Sequence, residues 1–310
     1  MAYDVIGDIH GQADKLHGLL QQLGYHDTAG AYRHPDRTAI FVGDFIDRGP
    51  RQVESVMTVR RMVDAGSAMA IMGNHEFNAI AWHTPHPTNE DDFLRTHTGV
   101  LGQKNRAQHG AFLSEVESNP QLHQEIIDWF LTLPLWIDLP GVRVVHACWH
   151  QGYMDALRPH LTQTHQLSRD LMVPASTSGA MEFRTVEGLT KGLEVNLPDG
   201  YMFNDKDGHA RHNVRIRWWD ANATTYRALA MMEDELRERL PDMAIANDVR
   251  SPYDEAKPVF FGHYWMKGRP RVQSPTTACV DYSAALDGPL VAYRWDGEPT
   301  LNDRNFVATG

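Results

Sequence analysis

Residues 38–49 read Thr-Ala-Ile-Phe-Val-Gly-Asp-Phe-Ile-Asp-Arg-Gly, and this stretch decides the fold class. Its first five residues form a short apolar run, which is typical of a buried strand. Gly43-Asp44 follows as a turn, and Asp47-Arg48-Gly49 leads to Pro50, a residue favoured in the first turn of a helix. The stretch therefore predicts a buried strand, a turn that carries two carboxylates, and a helix from Pro50 to Gly66.

The same order of strand, turn and helix occurs on both sides of this stretch. Upstream, an apolar run at 2–6 is followed by Gly7-Asp8-Ile9-His10-Gly11 and then by leucines at helical spacing up to Gly24. Downstream, the apolar run 68–72 ends in Gly73-Asn74-His75-Glu76. Alternation of strands and helices predicts an α/β fold, in which helices cover a sheet.

Side chains that can bind metal follow each of these strands. Asp8, Asp44 and Asn74 should meet, because open α/β sheets place their ligands at the carboxyl ends of the strands. His10 stands two residues after Asp8 and would share its side of an extended chain, so the two make half a metal site. Each turn alone fits an ordinary polar strand end, but three on consecutive strands favour a metal site.

Two histidines close later apolar strands. His146 follows the run 142–145, and His263 follows Phe260-Phe261-Gly262. Because a buried histidine without a polar partner is costly, both are expected to face a polar site. His150 would lie about 13 Å beyond His146 in an extended chain, so we expect it outside the metal site.

The rest of the chain fits a single domain, residues 1–310, with two insertions near 82–118 and 154–215. The polar stretch 82–110 is interpreted as loop, Asn119-Pro120 as the start of a helix to about Leu131, and 225–240 as an amphipathic helix. The runs 135–139, 142–147, 259–262, 278–282 and 290–295 are predicted as strands.

Composition excludes several classes of protein. The 310 residues are 42% hydrophobic and 22% charged, which suits a globular chain with a sizeable core. A net charge of −11 argues against a nucleic-acid partner, and neither a membrane span nor a signal peptide is expected. Two cysteines cannot form a disulfide framework, so Cys148 is interpreted as a packing residue and the protein as cytoplasmic.

The three turns, His146 and Gly262-His263 together resemble the calcineurin-type metallophosphoesterases. The Asp47-Arg48-Gly49 ending and the single late Gly-His are similar to the serine/threonine protein phosphatase branch, which includes the bacterial diadenosine tetraphosphatases. The runs 279–281 and 290–293 resemble the closing strands of the bacterial members. The resemblance covers 1–80, 130–150 and 255–296.

The resemblance implies an α/β fold of two packed mixed β-sheets flanked by helices, a four-layer sandwich, and a site for two divalent metal ions. One ion would take Asp8, His10 and Asp44, and the other would take Asp44, Asn74, His146 and His263, with Asp44 bridging. Arg48 would grip the substrate phosphate. His75 would protonate the leaving oxygen, with Asp47 as its partner.

Phosphate-ester hydrolysis explains why these residue types are needed. Two cations about 3.5–4 Å apart can bind a bridging hydroxide and clamp an in-line displacement. Arg48 can grip two phosphate oxygens at once, and His75 suits a general acid because its pKa lies near the working pH. Nitrogen and oxygen ligands without a thiolate suit Mn²⁺, Fe or Zn²⁺, of which we expect Mn²⁺.

Several alternatives stay open at this level. The leading hypothesis is a phosphoprotein phosphatase acting on Ser/Thr or Tyr, and the alternative is a bis(5'-nucleosyl)-tetraphosphatase that hydrolyses diadenosine tetraphosphate. An inactive metal-binding scaffold and a nuclease-type phosphodiesterase receive little support. The oligomeric state is open.

Two further features are expected near the site. The insertions should form the rim of the active-site cleft, as long loops often do, with most of their histidines solvated: His83, His86, His97 and His109. A second phosphate-binding arginine is expected among Arg211, Arg215, Arg217 and Arg250.

Overall fold

The computed structural model describes residues 1–204 and 210–310, and two mixed β-sheets dominate it. The larger sheet has five strands, in the order Phe306–Ala308, Val291–Trp295, Ala2–Ile6, Arg37–Phe41 and Ala68–Ala70. The smaller sheet has four, in the order Thr277–Cys279, Val259–Phe261, Val142–Val145 and Trp136–Leu139. Each sheet combines parallel and antiparallel pairs.

Strand register brings the polar turns to one edge of the sandwich. In the larger sheet Ile6 pairs with Phe41, and Phe41 pairs with Ala70, all in parallel. The three turns after these strands therefore leave the sheet side by side. In the smaller sheet Phe260 pairs in parallel with Val144, so His263 and His146 follow at a common end.

The two sheets pack face to face. Val5, Ile40, Val144, Phe260 and Val280 belong to one fully buried cluster that draws on both sheets. A second, larger cluster joins the sheets to the helices. The predicted architecture of two packed mixed sheets flanked by helices is thus confirmed.

Eight helices of seven or more residues occur in the described residues: Ala13–Leu23, Gln52–Asp64, Asn74–His83, Gly99–Val116, Pro120–Phe130, Gln151–Leu157, Arg169–Ser176 and Met181–Lys191. The predicted helix ends at Gly24 and Asn119 are confirmed. Gly24 has a left-handed φ of 91°, which glycine tolerates. The Asn119 side chain accepts the Leu122 N–H at 3.1 Å.

Shorter elements complete the described chain. Paired strands occur at His26–Thr28 and Ala31–Arg33, Pro85–His86 and Asn89–Phe93, Glu194–Asn196 and Asn213–Arg215, and Phe203–Asn204 and Ala210–Arg211. Short helices occur at Arg158–His160, Tyr226–Leu229, Asp234–Arg237, Asn247–Arg250 and Asp303–Asn305. Of the insertion expected at 154–215, residues 205–209 lie outside the described residues.

The interpretation of 82–110 as loop is wrong. The segment begins in the helix Asn74–His83, forms a short hairpin and enters the helix Gly99–Val116. The buried face of that second helix includes Asn105 and His109 beside Phe112 and Leu113. Because polar residues occupy part of the buried stripe, the apolar period that normally indicates a helix is obscured.

The single helix predicted over 225–240 is also wrong. The structure has two short helices, Tyr226–Leu229 and Asp234–Arg237, with extended backbone at Ala230 between them. There the Met231 N–H donates to the carbonyl of Arg215 at 2.8 Å. This backbone pairing interrupts the helix, although the sequence of 225–240 has a helical pattern. The helix expected at Pro50 begins two residues later, at Gln52.

In residues 1–204 and 210–310 no helix is both long and apolar enough to cross a bilayer. Cys148 and Cys279 are buried and unpaired, which agrees with the packing role expected for Cys148.

Candidate active site

The predicted metal-binding side chains do converge at the common edge of the two sheets. Asp8, His10, Asp44, Asn74 and His146 are all buried there. Asn74 and His75 open the helix Asn74–His83, so the helix begins where the strand Ala68–Ala70 leaves the sheet. The edge therefore collects carboxylate, amide and imidazole groups from the ends of four strands.

Asp44 lies at the centre of this group. Its Oδ2 atom is 3.3 Å from Nε2 of His146, 3.8 Å from Nε2 of His10 and 3.9 Å from Nε2 of His75. Its other oxygen, Oδ1, accepts the backbone N–H of His75 at 2.9 Å. One carboxylate oxygen thus faces three imidazole nitrogens while the second fixes its orientation.

Backbone carbonyls orient two of the rings. Nδ1 of His146 lies 2.7 Å from the carbonyl oxygen of Val42, and Nδ1 of His10 lies 2.9 Å from that of Ile46. Since Nδ1 of each ring faces a carbonyl oxygen, Nε2 is the atom that each ring presents to the site, as in metal-bound histidines. Nε2 of His10 is buried and has no hydrogen-bond partner.

Two clusters in the described residues have the geometry to hold a metal ion: His10, Asp44 and His75, and Asp44, His146 and His263. Asp44 belongs to both, as expected of a bridging residue. Asp8 belongs to neither, and its Oδ2 accepts the backbone N–H of His263 at 3.0 Å. Its Oδ1 is buried without a partner.

His263 is turned toward an arginine. Its Nε2 atom accepts a hydrogen bond from Nη1 of Arg215 at 3.1 Å. Burial, then the positive charges of Arg215 and His146, hold the pKa of His263 well below its usual range. A neutral imidazole results, and its free electron pair points to Arg215.

Burial and mutual charge shift the pKa values of this group in opposite directions. Burial opposes the ionisation of Asp44, but His146 and His75 hold its pKa well below the usual range. Burial lowers the pKa of His10 to about 4. Burial and then Asp281 raise the pKa of Asp8. The group is thus rich in buried oxygen and nitrogen donors, and divalent cations fit this donor set.

A second constellation surrounds Asp47. Its Oδ2 atom lies 2.7 Å from Nδ1 of His75, and its Oδ1 lies 2.7 Å from Nδ1 of His109. Burial lowers the pKa of His75, but Asp44 and Asp47 outweigh it and the net shift is upward. The structure therefore places Asp47 beside His75, the pair expected from the sequence, and adds His109 as a second partner.

His109 corrects the expectation that most histidines of the insertion are solvated. It is buried, in the middle of the helix Gly99–Val116. His97 is also partly enclosed, since its ring stacks on Trp82 with centroids 3.5 Å apart. The local sequence does not distinguish His109 from His97, because the partner of His109, Asp47, is distant in sequence.

Glu76 forms hydrogen bonds that connect two of the ligand-bearing turns. Its two carboxylate oxygens accept the backbone N–H groups of Gly73 at 2.9 Å, Asp44 at 2.8 Å and Phe45 at 2.7 Å. Burial and the charge of Asp44 raise its pKa to about 7. Glu76 thus ties the turn after Ala68–Ala70 to the turn after Arg37–Phe41.

Backbone strain is concentrated in the same turns. His10, Asp44, Asp47 and His263 have φ values of 50°, 54°, 70° and 71°. Left-handed backbone costs about 1–3 kcal/mol for a residue other than glycine, and such strain is found mainly at functional sites. The observed φ values support a functional role for this edge.

A cleft of about 930 Å³ opens above these residues. Arg48 is exposed there, with its guanidinium 5.9 Å from the ring centre of Trp265. Both insertions contribute to the lining, Arg95 and His109 from the first and Lys191 and Arg215 from the second. The predicted rim is therefore observed.

The arginines expected from the sequence divide into two groups. Arg211 and Arg215 line the cleft. Arg217 and Arg250 instead bind backbone carbonyls, of Ala228 and of Ala221 and Ala223 respectively. Arg95, which no sequence motif indicates, also lines the cleft.

The sandwich of two mixed sheets and its buried histidine–carboxylate edge define a phosphoesterase-type hydrolase fold. The family of calcineurin-like phosphoesterases matches residues 1–183, and the chain belongs to this family. The resemblance drawn from the sequence motifs is confirmed.

Similarity to known proteins extends beyond the family match. The chain is 33% identical over 129 residues to bis(5'-nucleosyl)-tetraphosphatase PrpE [asymmetrical] of Halalkalibacterium halodurans, covering 41% of this chain and 46% of that protein. The protein of the same name from Bacillus cereus is 32% identical over 235 residues, covering 66% and 88%. A protein serine/threonine phosphatase from Saccharomyces cerevisiae shares the fold, with a TM-score of 0.51, 16% identity and coverage of 100% and 79%.

Proposed function

We propose that this protein hydrolyses a phosphoric ester or anhydride bond with the help of two divalent cations. The observation that carries the proposal is the approach of three imidazole Nε2 atoms to within 3.9 Å of one oxygen of Asp44. Buried polar groups gathered in this way are costly unless a ligand satisfies them. The cleft above them gives a substrate access to the group.

The proposed ligands follow the sequence expectation. Asp8, His10 and Asp44 would hold one cation, and Asp44, Asn74, His146 and His263 would hold the other. The unpartnered Oδ1 of Asp8 and Nε2 of His10 support this assignment. Such cations supply an activated water and neutralise phosphate charge, and Mn²⁺ is our first choice for a donor set without thiolate.

The chain's own groups handle the substrate and the proton. Arg48, exposed at the cleft mouth, would grip two oxygens of the phosphate under attack. His75 would hold a proton at Nε2 and pass it to the leaving oxygen. Asp47, 2.7 Å from Nδ1 of His75, keeps that ring oriented and favours its protonated form.

A dinucleoside tetraphosphate is our first candidate substrate. The PrpE relatives are named for such a substrate, and the match reaches 88% of the Bacillus cereus protein. A phosphoprotein is the second candidate, since Arg48 lies at the cleft mouth, within reach of a phosphate on a large partner. A cytoplasmic location and the lack of a nucleic-acid partner stay predictions.

A comparison of kcat/KM distinguishes the two candidate substrates. The values for diadenosine tetraphosphate and for a phosphoserine peptide are measured side by side on the Mn²⁺-loaded protein. We expect the dinucleotide to be preferred. A clear preference for the peptide would replace the first candidate with the second.

The metal site is tested with Asp44→Asn, which keeps the shape of the side chain. We expect bound Mn²⁺, measured by elemental analysis after gel filtration, to fall below the level of the unaltered protein, and hydrolysis of 4-nitrophenyl phosphate to be lost. Asp36→Asn, at an exposed position, is the matched control. Full metal content and turnover in Asp44→Asn would refute the proposal.

A further inference from the structure

Arg95 is an arginine inside the cleft whose side-chain partners are both neutral. Its Nη1 donates to Oδ1 of Asn78 at 3.0 Å, and its Nη2 donates to Oε1 of Gln108 at 2.8 Å. The residue is only partly exposed and lines the cleft together with Asp44 and His75. It therefore presents a positive charge to the cleft.

No carboxylate in residues 1–204 and 210–310 forms an ion pair with this guanidinium. The negative charges of Asp47 and Glu187 raise its pKa less than burial lowers it. Both oxygens of Asp47 already face histidines, and Glu187 is paired with Lys191. Arg106, on the neighbouring helix, is by contrast paired with Glu117. A half-buried cation left with neutral partners is suited to an anionic ligand.

Three contacts, from two helices, hold Arg95 in place before any ligand arrives. Its backbone N–H donates to the carbonyl of Ala81 at 3.0 Å, near the end of the helix Asn74–His83. Asn78 comes from the middle of the same helix. Gln108 comes from the helix Gly99–Val116, next to His109. The guanidinium is thus preorganised, which reduces the entropy lost on binding.

The position of Asn78 relates Arg95 to the reaction. Asn78 follows His75 by three residues on one helix, and residues at this spacing are neighbours on the helix surface. Arg95, hydrogen-bonded to Asn78, therefore belongs to the part of the cleft that holds His75, the proposed donor to the leaving oxygen. Only an anhydride has a second phosphate there, whereas a phosphoserine or phosphotyrosine ester has an uncharged alcohol.

We propose that Arg95, held by Asn78 and Gln108, forms a subsite for the leaving phosphate of a phosphoanhydride. This inference rests on the proposed function, and it adds the basis on which the site distinguishes an anhydride from an ester. Arg48 binds the phosphate under attack, and Arg95 binds the next one.

The test compares kcat/KM for diadenosine tetraphosphate and 4-nitrophenyl phosphate in Mn²⁺-loaded variants. Arg95→Met should lower kcat/KM for the tetraphosphate about 10–100-fold, the usual worth of a hydrogen bond to a charged group, and lower it much less for the monoester. Arg95→Lys should be intermediate, because lysine keeps the charge without the paired donors.

A second variant keeps Arg95 and pairs its positive charge with a new carboxylate. Gln108→Glu changes one side-chain group and places a carboxylate 2.8 Å from Nη2 of Arg95, so it should cause the same selective loss. Arg106→Gln, at an exposed and ion-paired position, is the matched control and should retain the substrate ratio. Equal losses on both substrates in Arg95→Met and Gln108→Glu would overturn the subsite.

Direct binding tests the subsite without turnover. Titration calorimetry should show methylenediphosphonate binding more tightly than methylphosphonate, and Arg95→Met should reduce that ratio about tenfold. An unchanged ratio would overturn the subsite even in an active enzyme. If neither substrate is hydrolysed, the proposed function fails while the calorimetry still decides whether Arg95 binds a second phosphate.

Discussion

The Nδ1 atom of His109 lies 2.7 Å from Oδ1 of Asp47, although 62 positions separate the two residues. The other oxygen of Asp47 faces His75 at the same distance. The backbone N–H of Asp47 in addition donates to Oε1 of Gln52 at 2.7 Å. Asp47 is thus fixed on three sides, and His109 acts on the site through it as a positioning residue.

Replacing His109 by leucine should therefore weaken proton donation by His75. We expect kcat to fall about 10–100-fold, since a hydrogen bond to a charged group is removed, with a smaller effect on KM. The loss should be greater for phenyl phosphate than for 2,4-dinitrophenyl phosphate, because a good leaving group needs less protonation. Steady-state kinetics with the two esters measure this difference.

Two further variants separate positioning from general disruption. His109→Asn retains a donor near the position of Nδ1 and should recover part of the activity. His86→Asn, in the same segment but outside the site, should behave as the unaltered protein. If His109→Leu slows both esters equally, the positioning role is excluded.

The sequence predicts the alternating strands and helices and their ligand-bearing turns because local signals determine both, whereas the two-sheet sandwich follows from the family resemblance. A short apolar strand and a turn containing glycine carry their information within about ten residues, as the stretch 38–49 illustrates. Parallel pairing of neighbouring strands then brings such turns together at one edge of the sheet. The family match and the buried positions of Asp8, Asp44 and His146 agree with this reasoning.

His109 and Arg95 could not be predicted because their roles depend on distant partners. His109 occupies a helix whose polar stripe conceals its period, and its function is determined by Asp47. The partners of Arg95 are the amides of Asn78 and Gln108, which lie on two helices and which the sequence around Arg95 does not indicate. The extended backbone at Ala230 is likewise determined by pairing with Ile216.

Glu76 offers a test of how the turns are held. Glu76→Gln replaces one acceptor oxygen by an NH₂ group that would face backbone donors of Gly73, Asp44 or Phe45. We expect the free energy of unfolding to fall by about 2–4 kcal/mol, the cost of unpairing buried polar groups. Urea unfolding measures the change, and exposed Glu90→Gln is the control. A stability equal to that of the control would contradict this role.

Gly262 is required by the close approach of Asp8. A Cβ atom at this position would lie 2.0 Å from Oδ1 of Asp8 and 2.9 Å from Val42, so Gly262→Ala should displace the carboxylate. We expect reduced Mn²⁺ content and at least a tenfold loss of turnover. Gly18→Ala, where a Cβ atom has no neighbour within 4 Å, should be neutral or stabilise its helix by up to about 1 kcal/mol.

A double-mutant cycle identifies the cause of the Gly262→Ala effect. If the clash with Asp8 dominates, Gly262→Ala should cost less stability in an Asp8→Ala background than in the unaltered protein, because the contacting oxygen is absent. Thermal unfolding of the four proteins measures the coupling. Equal costs in both backgrounds would assign the effect to Val42 instead.

His123 should make the protein sensitive to mild acid. The ring is buried against His83 and Phe112, with centroids 4.5 Å and 5.6 Å away, and its Nε2 has no hydrogen-bond partner. Burial, then the charges of His83 and His109, lower its pKa from 6.5 to about 4, while Glu117 opposes the shift. Between these two pKa values the unfolded chain binds more protons than the folded one, so stability falls as the pH drops from about 6.5 toward 4.

His123→Phe removes this titration while keeping an aromatic ring in the same space. The variant should therefore become more stable relative to the unaltered protein as the pH falls. We expect its advantage in free energy of unfolding to grow by about 1–2 kcal/mol from pH 7 to pH 5. Urea unfolding at the two pH values measures it. His160→Phe, at an exposed position, should show the same difference at both pH values. A difference for His123→Phe that also stays constant would mean that the ring protonates in the folded protein as readily as in the unfolded chain.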